Sequence, residues 1–132
     1  MSEIINLQEQ DFDPESLPPL VLAYIGDAVF ELYVRLRLIT QLQTMNQLHE
    51  HAVRHVKAAS QSEFLAILQP HLTEDEERIM RRGRNAKETV PRRANPVEYR
   101  RSTGFEALLG YLYLTGKNQR LKELLALLEP IE

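Results

Sequence analysis

The stretch LVLAYIGDAVFELYVRLRLI, residues 20–39, has one charged residue, Asp27, in its first eleven positions. Pro18 and Pro19 stand directly before it, and proline is well suited to a first helical turn. Arg35 and Arg37 fall in the last turn, where cations suit the negative helix end. This pattern predicts a helix over 19–39. A second stretch, STGFEALLGYL at 102–112, repeats the character with Glu106 as its only charge. Both stretches are apolar on nearly every side, which predicts helices buried all round.

The rest of the chain reads outward from these two. Leu48, Ala52, Val53 and Val56 have helical spacing over 46–58. Ser60-Gln61-Ser62-Glu63 has the spacing of a capping box and predicts a helix start, with a stop at Pro70. Thr73 to Glu76 is a second such box, and that helix is expected to reach Arg82 with Gly83 just beyond its end. Asn95, Pro96 and Glu98 open a long helix closed near Gly116. Leu121, Leu124, Leu125 and Leu128 form the stripe of a last helix, 119–128, opened by Asn118. Residues 84–95 have no periodicity and contain Pro91, so they read as a loop. No alternating strand pattern occurs, and the fold class is all-α. At 132 residues the chain is one domain, 17–132, behind a polar tail, 1–16.

Composition removes whole classes of function. The chain has no cysteine, which excludes disulfide scaffolds, thiol nucleophiles and Cys-ligated metals. No apolar run reaches the roughly 20 residues of a membrane span, and the acidic start lacks a secretory signal pattern. A soluble, cytoplasmic protein without membrane partners is the expectation. No nucleophile elbow, P-loop or dinucleotide fingerprint is present. His51 and His55 stand at i, i+4, but no acid adjoins His51 and no third ligand is evident, so they read as a solvent-facing pair.

The charge is unevenly distributed. The net charge is −3, yet residues 81–101 hold eight Lys and Arg against two Glu. Half the positive charge lies in about a sixth of the chain. Polyanions respond to such local potential, and a solvated loop with incidental charge is the plainer alternative. Asp27 and Glu106, lone acids in apolar helices, need compensation. One solution is a shared divalent cation, and hard oxygen ligands suit Mg²⁺. The other is that each acid pairs with an arginine or caps a helix end. Gly26 and Gly104 stand near these acids, where a backbone or ligand must come close. Glu31, four residues before Arg35, has the order of a helical ion pair.

Leu22-Ala23-Tyr24-Ile25-Gly26-Asp27-Ala28-Val29-Phe30 and Ser102 through Leu112 together resemble the ribonuclease III endonuclease domain. The closer similarity is to the compact Mini-ribonuclease III family, which also has a segment like Arg81-Arg82-Gly83-Arg84-Asn85-Ala86-Lys87 followed by a proline, here Pro91. Arg54 and Ser60-Gln61 look like family positions as well. The resemblance covers roughly 17–128. It implies a ribonuclease III-like helical bundle, a homodimer that cuts double-stranded RNA with Mg²⁺ and leaves 5′-phosphate and 3′-hydroxyl ends. It implies maturation of precursor 23S ribosomal RNA, with a ribosomal protein on the substrate as a further partner. By position, Asp27 and Glu106 match catalytic, metal-binding acids. Ala23 and Thr103 stand where full-length enzymes have acids, a reduced set that the compact family shares.

The expected function is therefore a Mg²⁺-dependent endoribonuclease. Asp27 and Glu106 hold the metal, and Arg84, Asn85, Lys87, Arg92 and Arg93 grip the RNA backbone. The alternatives are a non-catalytic RNA-binding or ribosome-assembly factor on the same fold, and a helical adaptor that binds protein.

Overall fold

A computed structural model describes residues 13–132. The expected polar tail lies outside the described residues up to position 12. Its last residues form a 3₁₀ turn, Pro14–Ser16, where Glu15 pairs with Arg78 at 2.7 Å. Six α-helices follow: α1 (Pro19–Leu38), α2 (Met45–Val56), α3 (Ala58–Leu68), α4 (Glu74–Arg84), α5 (Pro96–Leu114) and α6 (Asn118–Ala126). No strand occurs among the described residues, and the fold is an all-α bundle. Helix α5 is its centre, with α1, α3, α4 and α6 packed around it.

Local chemistry accounts for several helix ends. Thr73 Oγ1 accepts from Glu76 N at 3.2 Å, and Glu76 Oε1 accepts from Thr73 N at 2.9 Å, a complete capping box. Glu76 also receives Arg120 of α6 in two bonds, at 2.8 and 2.9 Å, which ties α4 to α6. Asn95 Oδ1 accepts from Val97 N and Glu98 N at 2.9 and 3.1 Å. Gly116, with φ of 71°, ends α5 in the left-handed conformation that glycine adopts without steric cost.

Two of the expected ends differ. Helix α3 begins at Ala58, so Ser60 lies inside its first turn and is not a cap. The Ser60 hydroxyl donates instead to the Arg54 carbonyl, bracing the α2–α3 junction. Helix α4 runs through Gly83 to Arg84, so Gly83 is an interior residue. A methyl group there would meet Ala107 Cβ at 2.7 Å, and the residue is small because α4 presses on α5.

Helix α5 fulfils the expectation of burial: from Ser102 to Leu112 every residue except Glu106 is buried. Helix α1 does not. Leu22, Phe30, Val34 and Leu38 face the core, but Tyr24 is 78% exposed and Leu32 59%. Val21, Leu36 and Ile39 join these two on an open apolar stripe at helical spacing. The near-continuous apolar sequence of α1 thus serves two faces, one of them uncovered in the single chain.

The closest approach in the bundle is between α1 and α5. A methyl group on Gly26 would lie 1.7 Å from the Glu106 carbonyl oxygen. One on Gly110 would lie 1.9 Å from the Leu22 carbonyl oxygen. Backbone meets backbone here, and neither helix can yield without moving as a whole. Gly26→Ala is therefore expected to destabilise the fold by at least about 3 kcal/mol, the upper range for overpacking. Gly116→Ala, with open space around it, should cost only the left-handed strain of about 1–2 kcal/mol. Urea denaturation of the two variants checks the ranking.

Candidate active site

The α1–α5 crossing determines where the two acids lie. Asp27 follows Gly26, and the Glu106 carbonyl rests against Gly26, so both carboxylates occupy one edge of the crossing. Asp27 is exposed and Glu106 half-buried, which corrects the expectation that both are enclosed by apolar helices. Neither makes an ion pair with Lys, Arg or His among the described residues, against the reading that each is paired with an arginine. Glu31, by contrast, does pair with Arg35, at 3.8 Å.

Burial pushes the Glu106 carboxyl up to about 8, and the neighbouring Asp27 carboxylate adds to the rise by hydrogen bonding and by charge. Gln61 on α3 opposes it. Its side chain is 1% exposed, and Nε2 donates to Glu106 Oε2 at 3.4 Å. Glu88, from the loop before α5, raises Glu106 further through its negative charge. The Glu88 carboxylate is held by Thr103, whose Oγ1 donates to Glu88 Oε1 at 2.8 Å.

Two neighbouring carboxylates, one of them raised by burial and neither paired with a cation among the described residues, are a donor set suited to a hard divalent ion. No group of three or more His, Asp or Glu side chains among the described residues is placed to hold a metal. Asp27 and Glu106 would be its protein ligands, with the remaining positions left to water and phosphate oxygens.

The basic segment divides in two. Arg84, Asn85 and Lys87 line a cleft of about 440 Å³, together with Glu88 and Arg100. Arg92 and Arg93 lie outside that lining, exposed around the turn that leads to α5. Gln61, Glu88 and Arg100 were not expected as site residues. Gln61 stood beside Ser60 in a quoted family segment, the one signal available for it. Glu88 and Arg100 belong to the basic stretch 81–101 but carry no signal of their own: the place of Glu88 depends on how the loop folds back, and Arg100 stands on α5 beyond that loop. The two histidines are half-buried and not solvent-facing: His55 stacks on Phe64 at 6.2 Å and its Nε2 lies 2.7 Å from the Glu132 carbonyl oxygen.

Residues 20–117 match the family described as the ribonuclease III domain. The Mini-ribonuclease 3 of Symbiobacterium thermophilum is 53% identical over 115 residues, 86% of this chain and 88% of that protein. That of Thermosynechococcus vestitus is 48% identical over 126 residues, 96% of this chain and 83% of that protein. A crystal structure of a protein from Fusobacterium nucleatum superposes with a TM-score of 0.79 at 29% identity, covering 86% of this chain and 92% of that one.

The raised Glu106 predicts a pH dependence of stability. Between the ordinary carboxyl value of 4.5 and about 8, the folded chain retains a proton that the unfolded chain has released. Without divalent metal, stability should therefore fall as pH rises through that window. Glu106→Gln should flatten the fall, and Mg²⁺ added at the alkaline end should reverse it in the wild type. Urea midpoints taken across the window, with and without Mg²⁺, test all three outcomes.

Proposed function

The chain belongs to the ribonuclease III domain family and is an endoribonuclease; from that premise we propose that it cuts double-stranded RNA with Mg²⁺ bound at Asp27 and Glu106. The observation that supports this most is the juxtaposition of an unpaired acid pair with a basic cleft. The first suits a metal, the second a phosphate backbone. A divalent cation, when bound, supplies charge stabilisation to a phosphodiester and lowers the pKa of water.

The chain's own residues have separable tasks. Asp27 and Glu106 would hold the cation, and Glu106, whose carboxyl burial keeps protonated, would give up its proton to serve as an anionic ligand. Gln61, fixed in the core, orients the Glu106 carboxyl through its amide N–H. Arg84, Asn85 and Lys87 hold the backbone of one strand in the cleft, while Arg92 and Arg93 extend the positive surface beyond it. Duplex RNA is recognised mostly by shape and backbone, so such contacts position the duplex without selecting sequence.

The substrate we propose is precursor 23S ribosomal RNA, cut in the cytoplasm near its ends with a ribosomal protein present on the RNA. No helix among the described residues is long and apolar enough to cross a membrane, which accords with that setting. We propose a homodimer, supported by the open stripe of Val21, Tyr24, Leu32, Leu36 and Ile39 on α1. A two-fold pair offers one acid pair to each strand of a duplex.

Two outcomes follow. Asp27→Asn should abolish cleavage of duplex RNA in Mg²⁺ while leaving the melting temperature within a few degrees, since Asp27 is exposed. A gel assay beside a thermal melt decides it, and wild-type cutting by a folded variant removes the assigned role. Sedimentation should give about twice 15.3 kDa, and Leu32→Glu should shift the chain to monomer by placing charge on the stripe.

A further inference from the structure

Glu88 is out of place electrostatically. From residue 81 to 97 it is the only acid among six Lys and Arg. It lines the cleft with Arg84, Lys87 and Arg100, yet among the described residues it forms no ion pair with any of them. One carboxylate oxygen is held by the hydroxyl of Thr103, a residue only 5% exposed on the central helix. Oε2 makes no hydrogen bond among the described residues. The carboxylate is thus anchored at one oxygen, held apart from the cations, and left with acceptor capacity on a surface shaped for a polyanion.

An ionised carboxylate accepts hydrogen bonds and donates none, and it repels phosphate. On a duplex backbone, the group that lies near each phosphate and can donate to a carboxylate is the ribose 2′-hydroxyl. Acids on dinucleotide-binding folds make the same match with ribose hydroxyls. The three cations of the cleft outweigh the one acid, so a phosphate is still attracted. We propose that Glu88 is a specificity-determining residue that accepts a hydrogen bond from a ribose 2′-hydroxyl of the strand held by Arg84, Lys87 and Arg100. This rests on the reading of the chain as a nuclease for duplex RNA. It adds to that reading a named residue that rejects a backbone without the 2′ donor.

The test is equilibrium binding in EDTA, read by fluorescence anisotropy, which separates recognition from cutting. The probes are an RNA duplex and the same duplex with 2′-fluoro sugars, which keeps the A-form shape but has no 2′ donor. The wild type should prefer the hydroxyl form. Glu88→Ala should reduce that preference about tenfold, as loss of one charge-assisted hydrogen bond predicts. The reduction should come from weaker binding of the RNA, with the 2′-fluoro duplex bound as well as before or better. Glu88→Gln keeps an oxygen for Thr103 and should fall between the two. Arg84→Ala should weaken both duplexes by the same factor and preserve the preference. If Glu88→Ala weakens both duplexes alike, Glu88 is only a latch that pins the loop to α5, and the proposal is overturned. An unchanged preference overturns it as well. A wild type that binds and cuts duplex RNA while Glu88→Ala keeps its preference leaves the nuclease reading intact. A wild type that binds no duplex RNA overturns both.

Discussion

The bundle depends on one contact in which two helix backbones touch with no side chain between them. Gly26 and Gly110 let α1 lie directly on α5, each glycine facing a carbonyl of the other helix. Any Cβ at either position would force the axes apart. Because Asp27 is the next residue and the Glu106 carbonyl is one side of the contact, the crossing also sets the separation of the two acids. Core packing and site geometry are the same constraint seen from two sides.

A second contact of the same kind joins α4 to α5. Gly83 rests on Thr103, Gly104 and Ala107, and this delivers the end of α4, with Arg84 and Asn85, to the flank of the central helix. The chain then turns back and Glu88 reaches Thr103. Acids and cations that would neutralise one another if free to meet are therefore kept apart by rigid packing. Glu106 faces Asp27 and Gln61, while Arg84, Lys87 and Arg100 line a separate cleft that they share with Glu88. Helix α5 is common to both surfaces, so the acid pair and the basic cleft are held in fixed relation.

How much of this was legible in the sequence follows from how local each cause is. The ends set by Thr73, Asn95 and Gly116 depend on residues within a few positions and were readable. Ser60 has the same spacing but sits one turn late, because the α2–α3 junction sets the start of α3. Gly83 looked like a terminator, though what makes it necessary is a helix some twenty residues away. The open stripe of α1 was hidden for a different reason: apolar residues facing solvent in the single chain have the same pattern as residues facing a core. Asp27 and Glu106 stood out as lone charges, but Gln61 and Glu88 did not. An ordinary glutamine and an ordinary loop acid acquire meaning only from the groups that tertiary structure places beside them.

The α1–α5 crossing also bears on when the site comes into being. Its two halves are far apart in sequence, α1 at Pro19–Leu38 and α5 at Pro96–Leu114. Bringing them together requires closing a loop that contains α2, α3 and α4, a step whose entropic cost is met only by the contacts it creates. A nascent or truncated chain that lacks α5 has the basic end of α4 but no acid pair. The basic end of α4 can therefore be in place before the acid pair is, and the pair forms only once α5 has docked on α1.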